Sequence, residues 1–164
     1  MSESGMSESA PRVAALMTHP VEFVAPDRLV WQAAVSMGEL DVGGLPVGTA
    51  EHAEGVLTDR DILYRVVARG LDPASVRVDE VMSRPLVACR PDDTLHAAMD
   101  LMAGNHIRRL AVQDEGGTVV GWLTLSDLSR HLLLAEGPVK ACLQALTESP
   151  EAPEEEGEDQ PAAG

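Results

Sequence analysis

The chain has 164 residues, 12 basic against 27 acidic, two cysteines and 2% aromatic residues. That is enough for one compact domain or two small ones, and too little for a large catalytic barrel. Its 45% apolar content supports a core, while no apolar run approaches the roughly 18 residues of a membrane span.

The start, MSESGMSES, is acidic and polar and lacks the basic opening and apolar stretch of a secretory signal. A cytoplasmic location is therefore expected, with Cys89 and Cys142 as reduced thiols. The charge is concentrated at the ends. Residues 148–164 carry seven acids and no base, and the leader 1–11 carries Glu3 and Glu8. Both ends are too poor in apolar surface to offset chain entropy and are expected to be disordered. There is a single lysine, Lys140, and the eleven arginines are scattered, so nucleic acid is a poor partner.

Set against itself at an offset of 65 to 66 residues, the core aligns with itself. Met17, Pro20, Pro26, Ala33, Met37, Leu45 and Val47 fall on Met82, Pro85, Pro91, Ala98, Met102, Leu110 and Val112. After one inserted residue, Gly55, Leu57, Thr58 and Asp61 fall on Gly121, Leu123, Thr124 and Asp127. Two copies of one unit follow, over 12–71 and 72–137.

Each unit opens with a short helix, Val13 to Met17 or Val78 to Met82, stopped by proline. A strand is expected at Val21 to Val24 or Leu86 to Cys89, between prolines that suit a sheet edge. Val30, Ala33, Ala34 and Met37, like Leu95, Ala98, Met99 and Met102, have the i, i+3, i+4, i+7 spacing of an amphipathic helix, with its methionines in the core. Strands follow at Leu45 to Val47 and Leu110 to Val112. A turn, clearest at Asp114-Glu115-Gly116-Gly117, leads to strands ending in Leu57-Thr58 and Leu123-Thr124. In the first copy, the polar stretch Gly48 to Glu54 predicts a short or frayed strand. Closing helices are expected from Asp59 to Arg69, capped by Gly70, and from Leu125 to Glu136, stopped by Gly137-Pro138. Val139, Cys142, Leu143 and Leu146 mark one face of a further short helix over 138–147, which needs a surface to dock on.

The doubled β-α-β-β-α order, the GVLTDRDIL and GWLTLSDLS signatures, the LPV and LAV strands and the Met-x-x-Pro openings resemble a tandem pair of CBS domains. The resemblance covers about residues 13–134. It implies an α/β (α+β) fold with pseudo-two-fold symmetry, clefts between the repeats for adenosyl ligands, and frequent dimers of modules. It also implies a regulatory role rather than a catalytic one, with AMP, ADP, ATP or S-adenosylmethionine as regulatory ligand and an unidentified client protein.

Thr58 and Thr124 stand where a strand gives way to a helix, so first-turn N–H groups and the helix dipole suit a phosphate. Asp61 and Asp127 offer carboxylates for ribose hydroxyls, and the resemblance implies the same roles, with Arg60 and Ser126 inside the two signatures. Adenine is then expected in an apolar slot, made by the first strand of a repeat (Val21, Glu22, or Leu86, Val87) and by Leu45, Pro46 or Leu110, Ala111. The same Thr-x-x-Asp spacing also fits a capping box, in which the two side chains satisfy orphan backbone donors. Arg108 and Arg109 precede the second copy's strand where the first copy has Gly43 and Gly44, so countercharge for a mononucleotide is expected beside Thr124 and Asp127. Trp122 is read as packing.

No metal site or catalytic motif emerges: the five histidines are scattered singly, without Cys-x-x-Cys, nucleophile elbow or phosphate loop. The alternative to a nucleotide sensor is a ligand-free, dimerising adaptor that regulates a partner protein.

Overall fold

The computed structural model describes residues 11–133. The predicted helix at 138–147, Cys142, the acidic tail, the leader up to residue 10 and the stop at Gly137-Pro138 lie outside them. The backbone divides into a unit of residues 1–129 and a second from 130 onward. The sheets and the cleft belong to the first.

In chain order the elements are α1 (Val13–Leu16), α2 (Val30–Glu39), β1 (Gly44–Gly48), β2 (Ala53–Thr58), α3 (Asp59–Arg65), a 3-10 turn (Val67–Arg69), α4 (Val78–Val81), β3 (Ala88–Cys89), α5 (Leu95–Asn105), β4 (Arg109–Gln113), β5 (Val119–Thr124) and α6 (Leu125–Leu133). The repeat seen in the residues recurs in the backbone. Both hairpins are antiparallel with a bulge at the same place, Val47/Gly48 and Val112/Gln113. The ends of α2 and α5 each turn through a left-handed residue, Asp41 (φ 52°) and His106 (φ 54°).

The copies differ in their first strand, and one residue explains it. The strand expected at Val21 to Val24 is reduced to a single parallel bridge, Val24 to Val47, whereas β3 forms two pairs with β4, Ala88 to Ala111 and Cys89 to Val112. In the second copy the Ala111 N–H donates to the Val87 carbonyl at 3.1 Å. The corresponding residue of the first copy is Pro46, which has no N–H to give.

Two other expectations are corrected. β2 is not frayed: it spans six residues, as β5 does, because Thr49 and His52 close its turn through reciprocal backbone hydrogen bonds of 3.2 Å and Gly48 adopts φ 117°. The closing helix of the first repeat stops at Arg65, four residues early. The fully buried, β-branched Val66 leaves helical angles at φ −117°, and the chain continues as the 3-10 turn to Gly70 (φ 66°).

Burial on α2 and α5 follows the expected spacing at Val30, Ala33 and Met37 and at Leu95, Ala98 and Met102. Ala34 instead lies on the exposed face. The opening helices are exchanged between the cores. Val78, Val81 and Met82 pack with Val30, Val47 and Leu57 of the first repeat, and Val13 packs with Leu110, Leu123 and Leu128 of the second. Backbone pairs repeat that exchange, Thr18 with Trp122 and Ser83 with Val56. Burying these largely aliphatic side chains supplies the main drive for folding, at about 25 cal/mol per Å².

Candidate functional site

Thr58 ends β2 and caps α3. Its Oγ1 accepts from the Asp61 N–H at 3.2 Å, while the Thr58 N–H and the Thr58 hydroxyl both donate to Asp61 Oδ2 at 2.9 Å. The second copy repeats this: Thr124 N–H and hydroxyl donate to Asp127 Oδ2 at 2.9 and 2.6 Å, and Asp127 N–H donates to Thr124 Oγ1 at 3.2 Å. Both signatures are capping boxes here.

The first-turn donors of α3 are consequently occupied. Asp59 N–H donates to the Gly43 carbonyl at 3.1 Å, Arg60 N–H to Asp59 Oδ1 at 2.8 Å and Asp61 N–H to Thr58 Oγ1. A phosphate at this helix end would have to displace some of these bonds, so side-chain countercharge bears on the site.

That countercharge is present, but in the other cleft. A cavity of about 620 Å³ opens beside Thr58 and Asp61, and Arg108 and Arg109 line it together with Arg60, Leu86, Val87 and Trp122. The backbone of Arg109 pairs with Thr124, as sequence order suggested, but both arginines line the cavity of the first copy's signature across the repeat boundary. The volume lies within the range of small-molecule sites, roughly 300–1,000 Å³. The wall is amphipathic, with Val56, Pro85, Leu86, Val87 and Ile107 on its apolar part.

Of the residues singled out from the sequence, Thr58, Arg60, Asp61, Leu86, Val87, Arg108 and Arg109 share this cavity. Val21, Glu22, Leu45, Pro46, Thr124, Ser126, Asp127, Leu110 and Ala111 are not among its lining. Leu45, Pro46, Leu110 and Ala111 are buried in the hairpins, and Val21 is half-buried while Glu22 and Ser126 are exposed. Trp122, read as packing, has a half-buried side chain on the cavity.

The cavity also contains residues that sequence reasoning passed over, among them Tyr64, Arg65, Ser83, Arg84, Asn105 and His106. Ser83 left a signal: it follows Met82 as Thr18 follows Met17, a hydroxyl at the same place in both copies.

Five guanidiniums and two carboxylates, those of Asp59 and Asp61, give the wall a positive balance within an acidic chain. Their commitments differ. Arg65 donates to the Val81 and Met82 carbonyls at 2.8 and 2.9 Å. Arg84 donates to the Asp79 carbonyl at 3.2 Å and stands 3.5 Å from Glu54. Arg60 lies 5.5 Å from the Tyr64 ring centroid, and neither it nor Arg108 has an ion pair to a described residue. Arg109 is half-buried. Burial pushes its pKa down, the carboxylates of Asp59 and Asp61 oppose that, and Arg108 adds to it.

Among the described residues no cluster of three His, Cys, Asp or Glu could hold a metal ion, and no helix is long and apolar enough to cross a membrane.

Comparison with known proteins agrees with this architecture. The CBS domain model matches twice, at residues 13–68 and 78–134. The chain is similar to the CBS domain-containing protein YhcV of Bacillus subtilis, 41% identical over 113 residues that span 69% of this chain and 79% of that protein. Among solved structures it resembles the CBS domain protein TA0289 of Thermoplasma acidophilum, with a TM-score of 0.69, 29% identity and coverage of 83% and 75%. It also resembles a hexameric CBS-CP12 protein from bloom-forming cyanobacteria, with a TM-score of 0.67, 27% identity and coverage of 84% and 99%. With two matched repeats and a relative this similar, the chain belongs to the CBS domain family and carries the domain as a tandem pair.

Proposed function

We propose that this CBS pair is a sensor of adenosine nucleotides, which bind in the cavity beside Thr58 and Asp61. The observation that carries this reading is the meeting in one cavity of a Thr-x-x-Asp signature from the first repeat with Leu86, Val87, Arg108 and Arg109 from the second. Leu86, Val87 and Ile107 offer an apolar wall for the base, and Asp61 offers a carboxylate for the ribose. Arg60, Arg108 and Arg109 offer guanidiniums for phosphate oxygens, to which charge-assisted and bidentate hydrogen bonds suit them.

A ligand that touches both repeats favours one arrangement of them by its differential affinity, and a partner reads that arrangement. The charge balance favours nucleotides with more phosphates and disfavours S-adenosylmethionine, which brings a sulfonium cation. Isothermal titration with ATP, ADP, AMP, adenosine and S-adenosylmethionine tests the order. Affinity is expected to rise with phosphate number and to be weakest for the sulfonium compound. No heat with any of them would remove the sensor reading and leave the adaptor.

A second surface bears on how the state is read. Between α2 and α3 lies a groove of about 550 Å³ lined by Ala34, Gly38, Ile62, Leu63 and Val67, and Trp31, Val35, Leu63 and Val67 are 46–58% exposed. This apolar face supports self-association of the module. Sedimentation of the wild type against Val35→Glu is expected to show a dimer and its loss; two monomers would refute it.

A further inference from the structure

Asp61 is the one polar or charged side chain that is buried among the described residues, at 7% exposure. A carboxylate has about four acceptor positions; here three take hydrogen bonds and a guanidinium stands beside the carboxylate. Oδ2 accepts from the N–H and the hydroxyl of Thr58. Oδ1 accepts from the Ser83 hydroxyl at 2.9 Å and lies 3.6 Å from Arg65 Nη1. A ribose hydroxyl that approaches Asp61 from the cavity therefore competes with these groups for the carboxylate.

They are not equally replaceable. Thr58 is held through its own N–H and closes the cap of α3, so releasing it would open a helix end. Arg65 is anchored on the Val81 and Met82 carbonyls and supplies the charge that offsets a buried carboxylate. Ser83 differs. Its backbone is pinned by two hydrogen bonds with Val56, at 2.8 and 3.0 Å, yet its hydroxyl can leave by rotation about χ1 alone. The residue is half-buried and lines the cavity, so the released hydroxyl has room to turn.

We propose that the Ser83 hydroxyl occupies the ribose position on Asp61 in the empty state, and that a nucleotide binds by exchanging with it. The inference rests on the reading of this cavity as an adenosine nucleotide site. Ser83 then sets affinity by competition. Because it comes from the second repeat and Asp61 from the first, the exchange also converts a bond between the repeats into a bond to the ligand. Occupancy is felt where the second repeat's opening segment packs on the first core, even though no backbone hydrogen bond breaks.

The test is Ser83→Ala, with thermal unfolding of the unliganded protein and titration with ATP. A hydrogen bond to a charged group is lost, so the midpoint falls; a competitor is also lost, so ATP binds about tenfold more tightly. A merely structural role for Ser83 predicts a lower midpoint with unchanged or weaker binding, and that result would overturn the proposal. Ser83→Thr keeps the hydroxyl and is expected to retain wild-type affinity; the gain in Ser83→Ala is expected to disappear with 2′,3′-dideoxy-ATP, and its persistence would also overturn the exchange. If neither wild type nor Ser83→Ala binds ATP, AMP or adenosine, the nucleotide reading fails and the exchange with it. Equal binding by both proteins refutes the exchange alone.

Discussion

Arg109 lies along the backbone of Gly44: a Cβ placed on that glycine would stand 3.3 Å from both Cδ and Nε of the arginine. The preceding Gly43 is still closer to the guanidinium, so that a Cβ there would collide with Nη2. The first repeat has two glycines where the second has Arg108 and Arg109. The space that the missing side chains leave is where Arg109 enters the cavity.

Gly44→Val should therefore displace Arg109, since the Leu57 carbonyl oxygen, also 3.3 Å away, closes the other side. The expected result is about a tenfold loss of ATP affinity, the order of one charge-assisted hydrogen bond. Adenosine affinity should not change. Titration of both ligands, with circular dichroism to establish folding, checks this; equal losses for the two would refute it.

The capping boxes permit a second comparison. Thr58→Ala and Thr124→Ala each remove a hydroxyl that accepts from N3 and donates to the aspartate. Each is expected to cost about 1 kcal/mol, and Thr58→Ala more, because its partner Asp61 is buried. Urea unfolding with unchanged m-values measures both. Equal or reversed costs would contradict the account.

Gly55 and Gly121 occupy the same place in the two copies, but they face different neighbours. A Cβ on Gly55 would run into the backbone carbonyl of Ser83, which is paired with Val56 and cannot yield. A Cβ on Gly121 would meet the side chain of Met17, with Cγ at 2.9 Å, and an unbranched methionine can repack. Gly55→Ala should destabilise by about 3 kcal/mol and Gly121→Ala by about 1 kcal/mol, within the usual range for overpacking. Denaturant midpoints decide the order.

Cys89 supplies a pH prediction. Burial, and secondarily the charge of Asp93, push its thiol from the usual 9.0 up to about 11. The folded state thus keeps a proton that the unfolded state loses. This contribution to stability is fully present below about pH 9 and is lost as pH rises toward about 11. In a Cys142→Ser background, a thiol reagent should label Cys89 slowly at pH 8 in the native protein and rapidly in denaturant. Rapid native labelling would refute the burial argument.

Much of this architecture was legible in the residues. The 65 to 66 residue offset located both hairpins and both amphipathic helices, because Leu45, Val47 and Leu57 and their partners Leu110, Val112 and Leu123 are the buried apolar residues that recur in both copies. Thr58 and Asp61 were legible as a cap because three-residue spacing at a strand end is a local relation. What was not legible depends on how the copies face each other. Nothing local places Arg109 beside Gly43, or Ser83 on Asp61, since those contacts cross the repeat boundary at separations of 66 and 22 residues. The loss of the first strand lay between these cases: Pro46 could have signalled it, because the missing N–H is visible in the sequence once the parallel partner is known.

The exchange of opening helices makes the repeat a unit of sequence without making it a unit of folding. A chain cut before Val78 would deprive the first core of Val78, Val81 and Met82, and the remaining piece would lack Val13 in its own core. Each fragment would expose a hole where the other had supplied the plug, with the cost of a cavity on both sides. The pair is therefore expected to melt as one cooperative unit.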